Sequence, residues 1–210
     1  MNYISRHCRI RNRVIASGEK MVYENYVGNL DEFMDSAFQT LSIAYPKFYK
    51  MDRSSKLGFL GAEVLLKDIK LTEKYRPERI AVVISNSNAS LDTDLRYFES
   101  TKTIASPALF VYTLSNIVAG EICIRQGIKG ENAFFVFPKF NASQLYGYGE
   151  ILMASGKTDA CIAGWVDVLG EQHDVFLYLL EKSKNGELVH TAEQLQKLYN
   201  VNYGTVDGGS

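Results

Sequence analysis

The run IAVVIS, Ile80 to Ser85, constrains the fold more than any other stretch. It is apolar at five successive positions and rich in β-branched residues. A strand with one face in water alternates apolar and polar residues. An unbroken apolar run is expected of a strand covered on both faces, as in parallel sheets flanked by helices. The flanking segments carry helical spacing. Upstream, Arg53–Lys67 places Leu57, Leu60, Val64 and Leu65 on one face. Downstream, Leu91–Ser100 reads as a short helix, and Thr113–Gly127 as a longer one ending at glycine. Asn132–Phe137 reads as a strand and Asn141–Ser155 as a helix closed by Gly156. Thr158–Val166 and Asp174–Ser183 read as strands joined by a polar loop. Strands that alternate with helices in this way predict an α/β fold with a largely parallel sheet.

The ends of the chain differ from its middle. Tyr3–Tyr23 reads as one or two strands with a turn at Ser17-Gly18. A helix follows Gly28-Asn29, with Asp31 as its expected N-cap. Near the C-terminus, Asn185-Gly186 marks a turn, and Thr191 is expected to cap a last helix over Ala192–Tyr199. The tail is polar and rich in glycine. No linker or repeat interrupts the 210 residues, so a single domain is expected over residues 1–210.

Composition narrows the function classes. The net charge is −1, and the only cationic cluster is Arg6–Arg13, read as a solvated strand face. Nucleic-acid binding calls for a broader basic surface, so none is expected. No run approaches the ~20 apolar residues of a membrane span. The N-terminus has no secretory signal, and the three cysteines (Cys8, Cys123, Cys161) show no paired or metal-ligand spacing. A cytoplasmic protein without a metal site is the expectation. The pair Asp92/Asp94 is read as helix capping, and Gly147 and Gly149 as a close-packing notch in the Asn141–Ser155 helix.

The corner between NAFFVF and the helix after it is the candidate for chemistry, because enzymes often place a nucleophile at a strand-to-helix turn. Lys139 stands there, between Pro138 and Phe140. A Schiff-base lysine needs its pKa lowered by ~3 units, through burial or a neighbouring cation. No acid/base partner lies near it in sequence.

Three segments together carry a resemblance. SPALFVYTLSNIVAGEICIRQGIKGENAFFV, the corner, and GKTDACIAGWVDV are similar to the N-terminal half of β-ketoacyl-acyl-carrier-protein synthases, and KMDRSSKLGFLGAEVLL and IAVVISNS upstream fit the same pattern. The resemblance spans roughly Lys47 to Val168, and NIVAGEICIRQGIKG is its most specific part. It implies half of a thiolase-like fold: a mixed, mostly parallel five-stranded sheet with helices on both faces. It also implies a divergent extension over residues 170–210.

In that family a cysteine at the start of the helix takes the acyl chain as a thioester, and two histidines from the C-terminal half act in decarboxylation. Gly156, Asp159 and Ala163-Gly164 fit the pattern on one side of the corner and Asn132 on the other, which puts Lys139 at the cysteine's position. Phe137, Pro138 and Phe140 replace small residues beside it, and Pro138 has no N–H for an oxyanion hole. No HGTGT-like or NxFGFGG-like loop is present, and His7, His173 and His190 lie outside the matched motifs.

The resemblance therefore points to a non-catalytic subunit of fatty-acid or polyketide-type assembly, requiring no cofactor. Its implied partners are a second copy, a full-length ketosynthase as in chain-length factors, or an acyl carrier protein. Altered acyl-thioester chemistry and a ligand-binding remnant of the fold are the alternatives. The implied pocket is Ser106, Phe110, Phe137, Phe140 and Asn141. The implied dimer strand is Asn132, Phe134, Phe135, Val136 and Phe137. With half the fold absent, the central helix is expected to need a cover, from Asp174–Tyr203 or from another chain.

Overall fold

A computed structural model describes residues 1–182 and 188–201. The turn expected at Asn185-Gly186, the residue Ser183 and the glycine-rich tail lie outside the described residues. Among the described residues eight strands form one sheet: β1 (Tyr3–Arg11), β2 (Val14–Ser17), β3 (Lys20–Glu24), β4 (Ile80–Asn86), β5 (Asn132–Val136), β6 (Ala160–Leu169), β7 (Gln172–Glu181) and β8 (Leu188–Val189). The order is β3-β2-β1-β7-β6-β4-β5, with β8 pairing β1. The expected five-stranded sheet is the stretch β5-β4-β6-β7-β1. Strand β4 is parallel to β5 and β6, whereas β7 is antiparallel to both β6 and β1. All five strands except β7 therefore run the same way. The β2–β3 hairpin and β8 enlarge the sheet beyond the expectation.

The N-terminal segment holds three strands rather than one or two. Asn12 and Arg13 both adopt positive φ (51° and 59°), the geometry of a two-residue hairpin turn that matches strand twist. Without the usual Asn-Gly pair, that turn gives no signal in sequence. Between β6 and β7 the expected polar loop is a tight hairpin at Gly170-Glu171. Gly164 is the one position in β6 that only glycine can fill: its φ is 154°, and a Cβ there would lie 2.0 Å from the Phe176 carbonyl oxygen.

Strand β4 is buried along its whole length, as the run IAVVIS requires. Helices cover both faces. On the outer face lie α1 (Leu30–Thr40), α2 (Arg53–Leu65), the short α3 (Leu71–Lys74) and, later in the chain, α6 (Ile117–Gln126). The α1 cap is Asn29 rather than Asp31. The Asn29 side chain accepts from Glu32 N and the Glu32 carboxylate accepts from Asn29 N, a reciprocal capping box. In α2, Leu57, Phe59, Leu60, Ala62 and Leu65 are fully buried. Each large apolar side chain so buried contributes roughly 1.5–3 kcal/mol. Helix α6 starts four residues later than expected and ends at Gly127, in the left-handed conformation.

On the inner face lie α7 (Ala142–Ala154) and α8 (Ala192–Asn200), which pack on a second core around Phe140, Trp165, Phe176 and Tyr178. Between β4 and α6 stand α4 (Leu91–Ser100) and α5 (Pro107–Val111).

Candidate functional site

The corner is built by β5 and α7. Strand β5 is the terminal strand of the sheet, paired on one side with β4; among the described residues its outer edge carries no strand. The chain leaves the sheet as Phe137 N donates to Asn86 O at 2.9 Å. Asn141 then caps α7, its side chain accepting from Gln144 N at 3.1 Å.

Lys139 is exposed at this turn. It lines an open groove of about 480 Å³ with Pro138, Phe140, Asn141, Ser143 and, from α8, Glu193 and Gln196. Phe140 borders the groove but is only 6% exposed. It stacks on Tyr199 of α8 at 3.9 Å between ring centroids and meets Phe176 edge-on at 5.6 Å and Trp165 at 6.3 Å. The space beneath the corner is filled by aromatic rings.

No histidine or cysteine lines the groove. Cys8 lies on β1, its thiol 3.1 Å from Gly61 O, and Cys161 lies within β6; burial pushes both thiols up to about 12. Burial also raises the Cys123 thiol, on α6. All three sulfurs are thus held as thiols, whereas nucleophilic cysteine requires the thiolate. His7 lies on β1, and burial with the nearby Arg9 charge lowers its pKa to about 4. His173 sits by the β6–β7 hairpin, accepting from Arg13 N at 3.3 Å and lying 3.0 Å from Glu171 O. His190 precedes α8, its Nδ1 2.7 Å from Glu150 of α7, and burial lowers its pKa.

The five residues expected to form a pocket separate. Phe140 and Asn141 border the groove, and Phe137 stacks on Phe135 at 5.8 Å beside it. Ser106 caps α5, accepting from Leu109 N at 3.3 Å, and Phe110 is 59% exposed against Tyr97; neither borders the groove. Along β5, Asn132 and Val136 are exposed, Phe134 packs toward the outer core, and Phe135 and Phe137 pack toward the inner one.

Asp92 does not cap a helix: it is buried and accepts from Gly170 N at 2.8 Å, while Asp94 accepts from the Ser90 hydroxyl. Among the described residues no group of three or more metal-ligating side chains converges. The glycine notch is half right. A Cβ on Gly149 would press within 3.1 Å of Leu180 and His190, whereas Gly147 faces open space.

Sequence reasoning missed what holds α8 on the inner face. Arg9 and Arg11 of β1 donate to the carbonyls of Leu198, Val201 and Tyr199, where the helix dipole is negative. Arg11 also pairs with Asp174 at 2.8 Å, and the Tyr199 hydroxyl donates to that carboxylate at 2.5 Å. At 3% exposure, Arg9 is no solvated residue.

The model of the β-ketoacyl synthase N-terminal domain matches residues 11–178. The chain belongs to the β-ketoacyl synthase family. No curated protein matches the sequence. Among solved structures the chain is similar to the ishigamide ketosynthase/chain length factor, with TM-score 0.64 and 15% identity over 89% of this chain and 63% of that one. It is also similar to a β-ketoacyl synthase from Burkholderia phymatum STM815, with TM-score 0.57 and 13% identity, covering 87% of this chain and 59% of that one. A chain in the complex of the ketosynthase ApeO with its chain length factor ApeC, from Xenorhabdus doucetiae, matches with TM-score 0.55 and 11% identity over 94% of this chain and 90% of that one. At these identities the likeness is one of fold. The chain spans about three fifths of the first and second of these structures and nearly all of the third. Among the described residues no helix is long and apolar enough to cross a membrane.

Proposed function

We propose that this chain is a non-catalytic β-ketoacyl-synthase-like subunit of fatty-acid or polyketide-type assembly that pairs with a full-length ketosynthase, in the manner of a chain length factor. The observation that carries this reading is the corner. Lys139, which the family resemblance puts at the nucleophile's position, is exposed, a proline without an N–H precedes it, and Phe140, stacked on Tyr199, fills the space beneath. None of the three thiols is near or ionised.

The choice of partner is supported by the likeness to a chain of similar length in a ketosynthase–chain length factor complex. The open edge of β5 supports an association through Asn132–Val136 and Phe137, because an unpaired apolar edge strand favours pairing with another chain. A second copy is the competing occupant of that edge. An acyl carrier protein would then act on the pair rather than on this chain alone. Three unpaired cysteines suit a cytoplasmic location.

The test is co-expression with each full-length ketosynthase of the same genome, followed by elongation assays with malonyl-loaded carrier protein. The pair should elongate, and this chain alone should not condense acyl groups. Turnover by the isolated chain, or failure to co-purify with every ketosynthase, overturns the reading.

A further inference from the structure

Among the described residues, three buried polar atoms on the inner face have no hydrogen-bond partner: Nδ1 of His7, the hydroxyl of Tyr178 and Nε2 of His190. They cluster around Tyr178, at the seam between the sheet and α8. Tyr178 of β7 is the cross-strand neighbour of His7, and its ring lies 5.6 Å from that of His190. His190 stands directly before Thr191, the N-cap of α8. Its side chain is fully buried, and a Cβ on Gly149 would press on it at 3.1 Å. His7 borders a cleft whose far wall is Gln194, Lys197 and Leu198 of α8.

The cover has a small apolar footing. Of the nine residues of α8 only Leu195 and Leu198 are buried. A helix this short is not stable by itself in water, so it stays folded only while docked. Arg9 and Arg11 hold its far end. Its start is fastened through the Glu150 carboxylate, 2.7 Å from His190 Nδ1 and 3.0 Å from Asn2 Nδ2, and through His190 N donating to Asn2 O at 3.0 Å. The helix carries Tyr199 onto Phe140 and walls the corner groove with Glu193 and Gln196. Its detachment opens the space beneath the corner.

A further proton on either ring is poorly placed here. A neutral imidazole has one donor and one acceptor nitrogen, and a second proton turns the acceptor into a charged donor. At His190 that nitrogen is the unpartnered Nε2. Glu150 and Tyr146 of α7, Tyr178 of β7 and Asn2 surround the ring, and of these only Glu150 favours a positive charge. Around His7 stand Arg6 and Arg9 of β1, Tyr178, Glu19 of the β2–β3 turn and Lys197 of α8. Three of these are cations. Burial lowers the pKa of both rings, with His7 near 4, and Glu150 does not reverse the shift at His190. An uncovered ring takes up its proton near pH 6.5, so acid favours the uncovered state.

We propose that α8 is an acid-released cover: protonation of His190 and His7 frees it from the inner face and opens the space beneath the corner. The inference does not depend on the partner assigned above.

The experiment is amide hydrogen exchange on the full chain at pH 7.5 and 5.5, with rates corrected for the intrinsic effect of pH. Each histidine freed from the cover raises the opening constant of α8 up to ~10-fold over this range. The amides of Leu195 to Tyr199 should therefore open ~10–100-fold more at pH 5.5, and more readily there than those of α2. His190→Gln, which keeps a donor for Glu150, and His7→Gln should each remove up to ~10-fold of the rise. An α8 opening constant that changes less than ~2-fold with pH overturns the proposal. So does one constant shared by α8 and α2 at pH 5.5, which would make the release global unfolding. So does a rise that both substitutions leave intact. Where a variant is too unstable to measure, the wild-type comparison decides alone.

Discussion

The two faces of the sheet are closed by different means. On the outer face α1, α2 and α6 lay apolar stripes on the strands, in a core that runs from Cys8 to Leu179, and the buried Lys56 and Glu121 of these helices pair with Asp35 and Lys47. On the inner face α7 is apolar but incompletely covered, and α8 completes the cover by polar fastening at both ends. His190 and Asn2 share the Glu150 carboxylate at the start of α8, and Arg9, Arg11 and Asp174 hold its end. Apolar packing tolerates local adjustment. A cover held by directional bonds depends on a few partners, so the inner face should yield first and in pieces.

The largest expected effect is at the ring that joins the corner to the cover. Phe140→Ala removes a 6%-exposed side chain from between Tyr199, Trp165 and Phe176 and should cost about 3–5 kcal/mol. Amide hydrogen exchange should show α8 losing protection beyond the global loss, since its aromatic anchor is gone. If α8 and α2 lose protection equally, the two faces are one cooperative unit and the contrast fails. Leu60→Ala, fully buried on the outer face, should cost about 2–4 kcal/mol. It should lower protection evenly, α8 included; selective loss at α8 would contradict the picture.

Acid should act on the inner face next. His190, beside Tyr178, and His7, near Phe176, have pKa values below the ordinary 6.5, chiefly through burial, with His7 near 4. A lowered folded-state pKa means that the unfolded chain takes up the proton first. Stability from these groups is therefore present above about pH 6.5 and is lost as pH falls toward 4. Denaturant titrations at pH 7.5, 6 and 5 should show a falling unfolding free energy, and His190→Gln should flatten that slope. A slope unaffected by His190→Gln would remove the residue from the pH response.

How far the sequence anticipated this depends on where each residue's partner sits. Strand β4 was legible because its signal, an unbroken apolar run, is local. So were α4, placed at Leu91–Ser100, and the Thr191 cap, which accepts from Gln194 N three residues on. Arg9 was misread because what buries it is the end of a helix near the other terminus, and charge clustering alone cannot show that. The periodicity of α4 announced a helix but not its facing, which Asp52 and Gly170 decide. At the corner, the reading of Lys139 in the place of a cysteine rests on the family pattern alone. That Phe140 would meet Tyr199 was not visible, because α8 lies outside the matched segment.

The smallest expected effect falls on the residue most suggestive of chemistry. Lys139 is exposed at the rim of an open groove, with no histidine or cysteine beside it. A lysine that forms a Schiff base is ordinarily held in a buried, apolar pocket, and Lys139 is exposed. Lys139→Ala should therefore change stability by less than about 0.5 kcal/mol. Borohydride treatment with a ketone or aldehyde probe should leave Lys139 unmodified, and elongation by the ketosynthase pair should be unchanged. Phe140→Tyr, which keeps the ring but forces a hydroxyl against Tyr199 and Trp165, should perturb the protein more than Lys139→Ala does. If instead the lysine variant abolishes elongation while the tyrosine variant leaves it intact, the corner acts through its amine rather than through its filled interior.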